Sequence, residues 1–212
     1  MLGVPISFRK GGDASASYDW VDFSTGLGYR RFYAAAGVLA AGLTYFLTNE
    51  SSIDSSSSDQ TTSYGYLTPN DGAGSELDID FDVTLVKPMT IGAGYAYVNF
   101  TVCLATNPST VQSTVNIYHV TAAGVETLLG TAQSAARHTH AAALHCRDTF
   151  RILLTGKTFG VGEKLRVNYV SNASDASFWV YHDPSSGLTG TDAGGRTVTT
   201  DFTVDIPFKI DI

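Results

Sequence analysis

The sequence is poor in charged residues. Lysine, arginine, aspartate and glutamate make up 16% of its 212 residues, whereas about 25% is typical of soluble domains. A surface with so little charge must be covered by serine, threonine, glycine and asparagine, or by other protein. The net charge is −7. Because nonspecific binding to nucleic acid depends on lysine and arginine displacing counterions, we expect no nucleic-acid partner.

Cysteine is scarce as well. The two cysteines, Cys103 and Cys146, are too few for the dense disulfide framework of a small secreted domain. Both lie among apolar or small residues, so we expect them to be reduced core thiols.

Long apolar runs are missing. The first twenty residues lack the stretch of about 7 to 15 apolar residues that a secretory signal needs. The longest apolar stretch, residues 34–47, is interrupted by Gly37, Gly42 and Thr44 and is shorter than the roughly 20 residues that span a bilayer. We therefore expect a soluble chain with no membrane partner.

Recognisable catalytic motifs are also missing. The sequence contains no G-x-S-x-G elbow, no H-E-x-x-H and no glycine-rich loop before a helix. His182 and Asp183 lie close to Ser185 and Ser186, but in one short loop, whereas a catalytic triad needs separate elements that converge. We expect no enzymatic activity, no catalytic residue and no cofactor.

Alternation of apolar and polar residues is what the sequence has in abundance. Residues 76–86 read E-L-D-I-D-F-D-V-T-L-V, and residues 197–212 continue the same rhythm. Successive side chains of a strand point to opposite faces, so this pattern predicts strands with one dry and one wet face. Strands are predicted at 76–86, 94–105, 113–121, 125–131, 149–155, 163–171, 176–182 and 197–210. Residues 134–145 fit a helix as well as a strand or loop.

About eight strands without a long helix predict an all-β fold. We expect a two-sheet antiparallel sandwich with jelly-roll or related Greek-key topology, immunoglobulin-like packing being the alternative. Residues 41–212 are predicted to form this single domain, and residues 1–40 an extended N-terminal arm. Residues 49–63 are polar enough to be an exposed loop.

One cluster has the character of metal ligands: His138, His140, His145 and Cys146. Imidazole and thiolate suit zinc, but the spacing matches no established ligand pattern, and Arg137 and Arg147 flank the cluster. We expect no metal there and leave the question open.

Asp78, Asp80 and Asp82 share one face of a predicted strand. Adjacent members lie about 7 Å apart, too far to share one ion comfortably. The row is either a solvated outer face or a docking stripe for a basic surface, with weak calcium binding a third possibility.

Two pairs of aromatic residues share strand faces: Tyr95 with Tyr97, and Trp179 with Tyr181. We expect buried core positions for them; the alternative is a platform on which sugar rings stack.

Several segments resemble a known class of proteins. These are D-F-S-T-G-L-G-Y-R-R-F-Y at 22–33, T-Y-F-L-T at 44–48, the serine-rich loop, and D-F-T-V-D-I-P-F-K-I-D-I at 201–212. They are similar to segments of structural proteins of tailed-bacteriophage virions, in particular head decoration or cement proteins. The resemblance implies a non-enzymatic virion protein, made in the host cytoplasm, that binds the outer capsid surface. Its partner would be the major capsid protein, and it would cement neighbouring capsomers as a homo-oligomer, a trimer being favoured.

The arm carries the aromatic and cationic residues that are enriched at interfaces. The capsid-interface candidates are Phe8, Arg9, Lys10, Trp20, Phe23, Tyr29, Arg30, Arg31, Phe32 and Tyr33. Alternatively, Trp20, Phe23 and Phe32 complete the sandwich core. Competing functions are a carbohydrate- or receptor-binding module of a phage tail or fibre, a metal-dependent enzyme that uses the histidines, and a self-assembling shell protein.

Deletion of residues 2–22 tests the anchor hypothesis. We expect the shortened protein to be lost from purified particles, because the deletion removes several of the interface candidates. Retention is measured by quantifying the protein on washed particles. Undiminished retention excludes the arm as the anchor.

Overall fold

The computed structural model describes residues 27–39, 42–49, 66–67, 76–104, 109–135, 137–139, 144–173, 178–182, 189–191, 195–199 and 201–209. These residues form 16 strands and no helix, so the described part of the chain contains no apolar helix of membrane-spanning length. In chain order the strands are β1 (Leu27–Leu39), β2 (Gly42–Thr48), β3 (Tyr66–Leu67), β4 (Glu76–Thr84), β5 (Met89–Ile91), β6 (Gly94–Leu104), β7 (Ser109–Val120), β8 (Glu126–Gln133), β9 (Arg137–Thr139), β10 (Leu144–Leu154), β11 (Lys157–Phe159), β12 (Lys164–Ala173), β13 (Phe178–Tyr181), β14 (Thr189–Thr191), β15 (Thr197–Thr199) and β16 (Thr203–Lys209).

The long strands form two layers. Sheet I contains β10, β6, β16 and the first half of β1, and sheet II contains the second half of β1 followed by β2, β4, β12, β7 and β8. Successive long strands cross between the layers: β4 lies in sheet II, β6 in sheet I, β7 and β8 in sheet II, β10 in sheet I and β12 in sheet II. Pairing is antiparallel except for one parallel contact between β2 and β4. The predicted all-β antiparallel sandwich is confirmed.

Strand β1 belongs to both layers. Its first half, from Leu27 to Tyr33, pairs with β16, and its second half, from Tyr33 to Leu39, pairs with β2. Ala34 and Ala35 point to opposite sides, yet both are fully buried. Their small side chains let the chain pass from one sheet to the other without leaving a gap.

The described part of the sandwich therefore begins at residue 27, whereas the sequence analysis placed the boundary between arm and sandwich at residue 40. Residues 27–39 are a strand of the sandwich, and residues 1–26 lie outside the described residues. Residues 34–36 carry no alternation of polar and apolar side chains, because both faces of the crossing strand are buried. The signal used to find the other strands is absent there.

A β-bulge closes the opposite edge. The register between β7 and β8 shifts between Ile117 and Tyr118, so that Leu129 has no partner on β7. The backbone carbonyl of Leu129 instead accepts hydrogen bonds from the backbone N–H and the hydroxyl of Thr155, at 3.0 and 3.3 Å, just after β10. A bulge bends its strand, and here the bend brings β8 of sheet II against β10 of sheet I.

Aromatic rings fill the space between the sheets. Phe100 of β6 contacts Tyr169 of β12, Phe202 and Phe150, with ring centroids 5.0, 5.2 and 5.5 Å apart. The hydroxyl of Tyr169 is buried and lies 2.8 Å from Ser113 Oγ. A buried hydroxyl needs such a partner, and burial raises the pKa of Tyr169.

Seven of the eight predicted strands each overlap one described strand, but the predicted strand 197–210 is divided into β15, which pairs with β14, and β16, which pairs with β1. A second difference lies in the ambiguous segment before residue 149. There β9 and the first part of β10, which begins at Leu144, are both extended. The alternation in that segment is weak because it contains consecutive alanines and closely spaced histidines. Pairing of β10 with β6 along its whole length decides the conformation of the part from Leu144 onwards.

Substitution of Gly130 by alanine tests the closure by the bulge. A Cβ atom there would lie 2.6 Å from the backbone oxygen of Leu153 and 2.8 Å from Cγ2 of Ile152. Because backbone atoms cannot move aside easily, we expect Gly130→Ala to lower the free energy of unfolding by about 2 to 3 kcal/mol. The free energy is measured by urea denaturation.

Gly160→Ala is the matched control, because a Cβ atom at that position would lie 3.6 Å from its nearest neighbours, which belong to the Glu163 side chain. It should change stability by less than about 0.5 kcal/mol. Equal effects of the two substitutions would contradict the role of Gly130.

Candidate binding face

The outer surface of sheet I carries a row of side chains that crosses four strands. Arg151 of β10 lies beside Tyr97 of β6, Tyr97 beside Asp205 of β16, and Asp205 beside Arg31 of β1. Residues two positions further along a strand point to the same side, so a second row contains Leu153, Tyr95 and Tyr29. We call this surface the tyrosine face, defined by Tyr29, Arg31, Tyr95, Tyr97, Arg151, Leu153 and Asp205.

Aromatic rings are accessible on the tyrosine face. Tyr95 and Tyr97 are each 36% exposed and Leu153 is 63% exposed. The ring of Tyr29 lies 6.0 Å from that of Tyr97, centroid to centroid. The expectation that Tyr95 and Tyr97 are core residues is wrong, because the inward positions of β6 are held by the small Ala96 and by Val98, both fully buried.

Charges on the tyrosine face differ in their pairing. Arg31 donates two hydrogen bonds of 2.8 Å to the carboxylate of Asp205, and this bonding raises the pKa of Arg31. The guanidinium of Arg151 lies 3.6 Å from the centroid of the Tyr95 ring. Among the described residues, Arg151 has no carboxylate partner. The face therefore contains one compensated and one uncompensated cation.

The predicted capsid-interface candidates are divided by the structure. Tyr29 and Arg31 lie on the tyrosine face, and Tyr33 lies close enough to Arg31 to interact with it. Arg30 donates a hydrogen bond of 3.1 Å to Asn49 and lies over the ring of Phe32. The remaining candidates, Phe8, Arg9, Lys10, Trp20 and Phe23, lie outside the described residues.

Phe32 requires a correction. It is 1% exposed and belongs to the core, so it completes the sandwich and cannot contact a partner. Its position is inward because its neighbours along β1, Arg31 and Tyr33, are the ones directed outward.

The aspartate row lies on the outer surface of sheet II, where neighbouring side chains bind it. Asn168 of β12 donates hydrogen bonds of 2.6 and 2.9 Å to Asp78 and Asp80. Arg166, on the same strand, contacts the carboxylates of Asp80 and Asp82, each at 2.7 Å. The row is therefore satisfied within its own sheet, which supports the interpretation as a solvated outer face. A docking role for Asp78, Asp80 and Asp82 stays a prediction.

Arg166 is the centre of this polar network. Besides the two aspartates it contacts Glu126 of β8 at 2.6 Å, and Lys164 contacts Asp82 at 3.1 Å. Burial alone would raise the pKa of Asp82, but the hydrogen bonds from Arg166 and Lys164 outweigh it and the pKa is lowered. The two outer surfaces of the sandwich thus differ. Arg166 and Lys164 on sheet II contact carboxylates, whereas Arg151 on sheet I contacts an aromatic ring.

Of the predicted histidine and cysteine cluster, the structure describes the side chains of His145 and Cys146, and these two do not lie together. His145 and Cys146 are consecutive on β10 and point to opposite sides. His145 Nε2 lies 3.0 Å from the Tyr181 hydroxyl. His140 and the side chain of His138 lie outside the described residues, and no group of three metal-ligating side chains is present in the part of the chain that the structure describes.

Neither thiol forms a disulfide, as predicted, but only Cys103 is buried, whereas Cys146, expected in the core, is partly exposed. Cys146 is paired with the inward-facing Val102, whereas Cys103 is paired with His145 on the other side of the sheet. Because the two cysteine side chains point to opposite sides of the sheet, they form no disulfide although their strands are neighbours. Burial, followed by the proximity of Cys146, raises the pKa of Cys103 to about 12.

Two histidines, His119 and His182, are buried, which the sequence analysis did not predict. His119 of β7 lies 2.8 Å from the Glu163 carboxylate, which also accepts the Gly160 N–H at 2.7 Å. The Gly160 N–H and then His119 lower the pKa of Glu163. His182 is 4% exposed and packs edge-on against Tyr45. Of the triad considered above, His182 is buried, and Asp183, Ser185 and Ser186 lie outside the described residues.

Comparisons with known proteins add little about the tyrosine face. No family model matches the chain, and no curated protein matches it. Among solved structures, a CocE/NonD family hydrolase from Staphylococcus aureus is 14% identical with a TM-score of 0.36, over 84% of this chain and 39% of the hydrolase. An aminopeptidase from a marine-sediment Thaumarchaeota archaeon is 12% identical with a TM-score of 0.49, over 98% of this chain and 41% of the aminopeptidase.

A family 3a carbohydrate-binding module from the cipA scaffolding protein of Clostridium thermocellum is 14% identical with a TM-score of 0.30, over 66% of this chain and 91% of the module. The chain spans about two fifths of the length of the hydrolase and the aminopeptidase. These identities and scores are too low to assign an activity or a ligand to this chain.

We expect the buried His182 to make the free energy of unfolding depend on pH. Burial lowers its pKa from 6.5 to about 4, so the unfolded chain binds a proton more readily than the folded chain between these values. The free energy of unfolding should therefore fall as the pH falls from 6.5 towards 4, by up to about 1.4 kcal/mol per pH unit, and this contribution should then level off.

His182→Gln should remove this dependence between about pH 6 and 5, where most carboxylates are still ionised. The measurement is urea denaturation at several pH values, compared with His145→Gln as a control for a histidine that is only partly buried. An unchanged slope in His182→Gln would show that another group titrates.

Proposed function

We propose that this chain is a non-enzymatic binding module that attaches to polysaccharide through the tyrosine face. The observation that carries the proposal is the accessible set of rings on a sheet surface, with Tyr95 and Tyr97 each 36% exposed and Tyr29 at 6.0 Å from Tyr97. Exposed aromatic groups brought together in this way mark binding surfaces.

The physical match is with a sugar ring. A pyranose has an apolar face of C–H groups that packs on an aromatic ring, and a rim of hydroxyls that needs hydrogen-bond partners. The tyrosine face supplies rings for the first and is bordered by polar side chains for the second. Thr149 donates to Asn99 at 2.8 Å, and Asn99 donates to Thr203 at 3.4 Å, in the row next to Tyr97.

A second candidate function uses the same surface. The protein would be a virion decoration protein that binds the major capsid protein and cements neighbouring capsomers. The observation that favours it is that Tyr29 and Arg31, which belong to the predicted capsid anchor, lie on the tyrosine face beside Tyr97. Tyrosine and arginine are among the residues most often found at the energetic centre of protein interfaces.

Tyr97→Ala tests the first function. We expect it to weaken binding to a retained polysaccharide by about tenfold, because a central stacking surface is lost. Binding is measured by retardation in native gels cast with a panel of soluble neutral and acidic polysaccharides. Tyr118→Ala, on the outer surface of sheet II, is the matched control and should bind normally. Absence of retardation by every polysaccharide for the unmodified protein excludes this function.

The same two variants distinguish the second function. Tyr97→Ala should be lost from purified capsids while Tyr118→Ala is retained, if the tyrosine face contacts the capsid. Particle binding that is insensitive to both substitutions would remove the tyrosine face from the capsid interface.

A further inference from the structure

The cations on the outer side of sheet I are mostly paired with carboxylates. Arg31 is held by Asp205 at 2.8 Å, and Arg147 by Asp201 at 3.0 Å. Arg151 differs, since its contact in the described part of the chain is with the ring of Tyr95. An exposed guanidinium that has no carboxylate partner among the described residues, at one end of a candidate binding surface, is available to a negatively charged group of a ligand.

We propose that Arg151 selects an acidic sugar, so that the ligand of the tyrosine face is a polysaccharide that contains uronic acid residues. This inference rests on the proposed polysaccharide function and names its ligand class.

The position of Arg151 fits this role. It lies directly across from Tyr97 in the register between β10 and β6, so a sugar stacked on Tyr97 would place its ring substituents beside the guanidinium. The contact of 3.6 Å with Tyr95 holds the guanidinium against the ring. Guanidinium N–H groups that are not used by another acceptor can bind a carboxylate with two parallel hydrogen bonds.

The chain as a whole is negatively charged, so a preference for an acidic sugar has to come from residues at the binding face itself. The net charge of −7 disfavours a general attraction to acidic polymers. Arg31 is a poorer partner for a sugar carboxylate, because two of its five N–H groups bind Asp205 and the carboxylate of Asp205 compensates its charge. Recognition of a sugar carboxylate on this face therefore depends on Arg151.

The experiment compares two polymers that share one backbone, polygalacturonate and its methyl ester, in which the carboxylates are neutralised. We expect the unmodified protein to bind polygalacturonate at least about tenfold more tightly than the ester, which is the usual effect of one hydrogen-bonded charge pair. Arg151→Gln should remove this preference and leave binding to the ester unchanged. Arg151→Lys should restore it only partly, because lysine lacks the bidentate geometry.

Lys87→Gln is the matched control, because it removes the same charge from an exposed position outside the tyrosine face and should keep the preference for the acid. Thermal unfolding of Arg151→Gln should equal that of the unmodified protein, since Arg151 is exposed.

The outcomes separate the two proposals. Equal binding to polygalacturonate and its ester, or an Arg151→Gln variant that keeps the preference, overturns the role of Arg151 and leaves polysaccharide binding standing. Failure to bind either of these polymers while a neutral polysaccharide binds also overturns it. Failure to bind any polysaccharide overturns both proposals. Equally tight, Arg151-dependent binding of poly-glutamate overturns the sugar assignment in favour of an acidic protein partner.

Discussion

The antiparallel register between β1 and β16 decides which side chains the tyrosine face presents. Pairing of Arg31 with Asp205 places Tyr29 and Arg31 outside and Phe32 inside, against the core. A slip by one residue would exchange the two sides, burying an arginine and exposing a phenylalanine. The buried ring of Phe32 and the two hydrogen bonds between Arg31 and Asp205 oppose that slip from opposite sides of the sheet.

Both edges of the sandwich are joined between the layers. On one edge β1 continues from sheet I into sheet II, and on the other the bulge at Leu129 turns β8 towards β10. A joined edge presents few unpaired backbone groups to other chains. The outer faces are then the surfaces left for recognition, and they are chemically different. Sheet II saturates Arg166 with three carboxylates, whereas sheet I leaves Arg151 on an aromatic ring.

Much of the fold was predictable because most strands have one wet and one dry side. Residues 76–84 show this pattern, and Ile79 and Phe81 are buried as it requires. The pattern failed where both sides of a strand have similar polarity. Residues 34–36 of β1 are buried on both sides, and Tyr95 and Tyr97 of β6 alternate with Ala96 and Val98, so either set could have been the core. Between residues 95 and 98 of β6 the larger residues lie outside and the smaller ones inside, a choice that is set by strand pairing and not by size.

The sequence by itself determined the class of fold, since period-two hydrophobicity can be buried only by layering sheets. Only the tertiary structure decided the candidate site. Arg31 and Asp205 are 174 residues apart, and Tyr97 and Arg151 belong to different strands. Which cation is paired and which is left available depends on strand order and register, and these are set by the packing of the whole core, which no local pattern records.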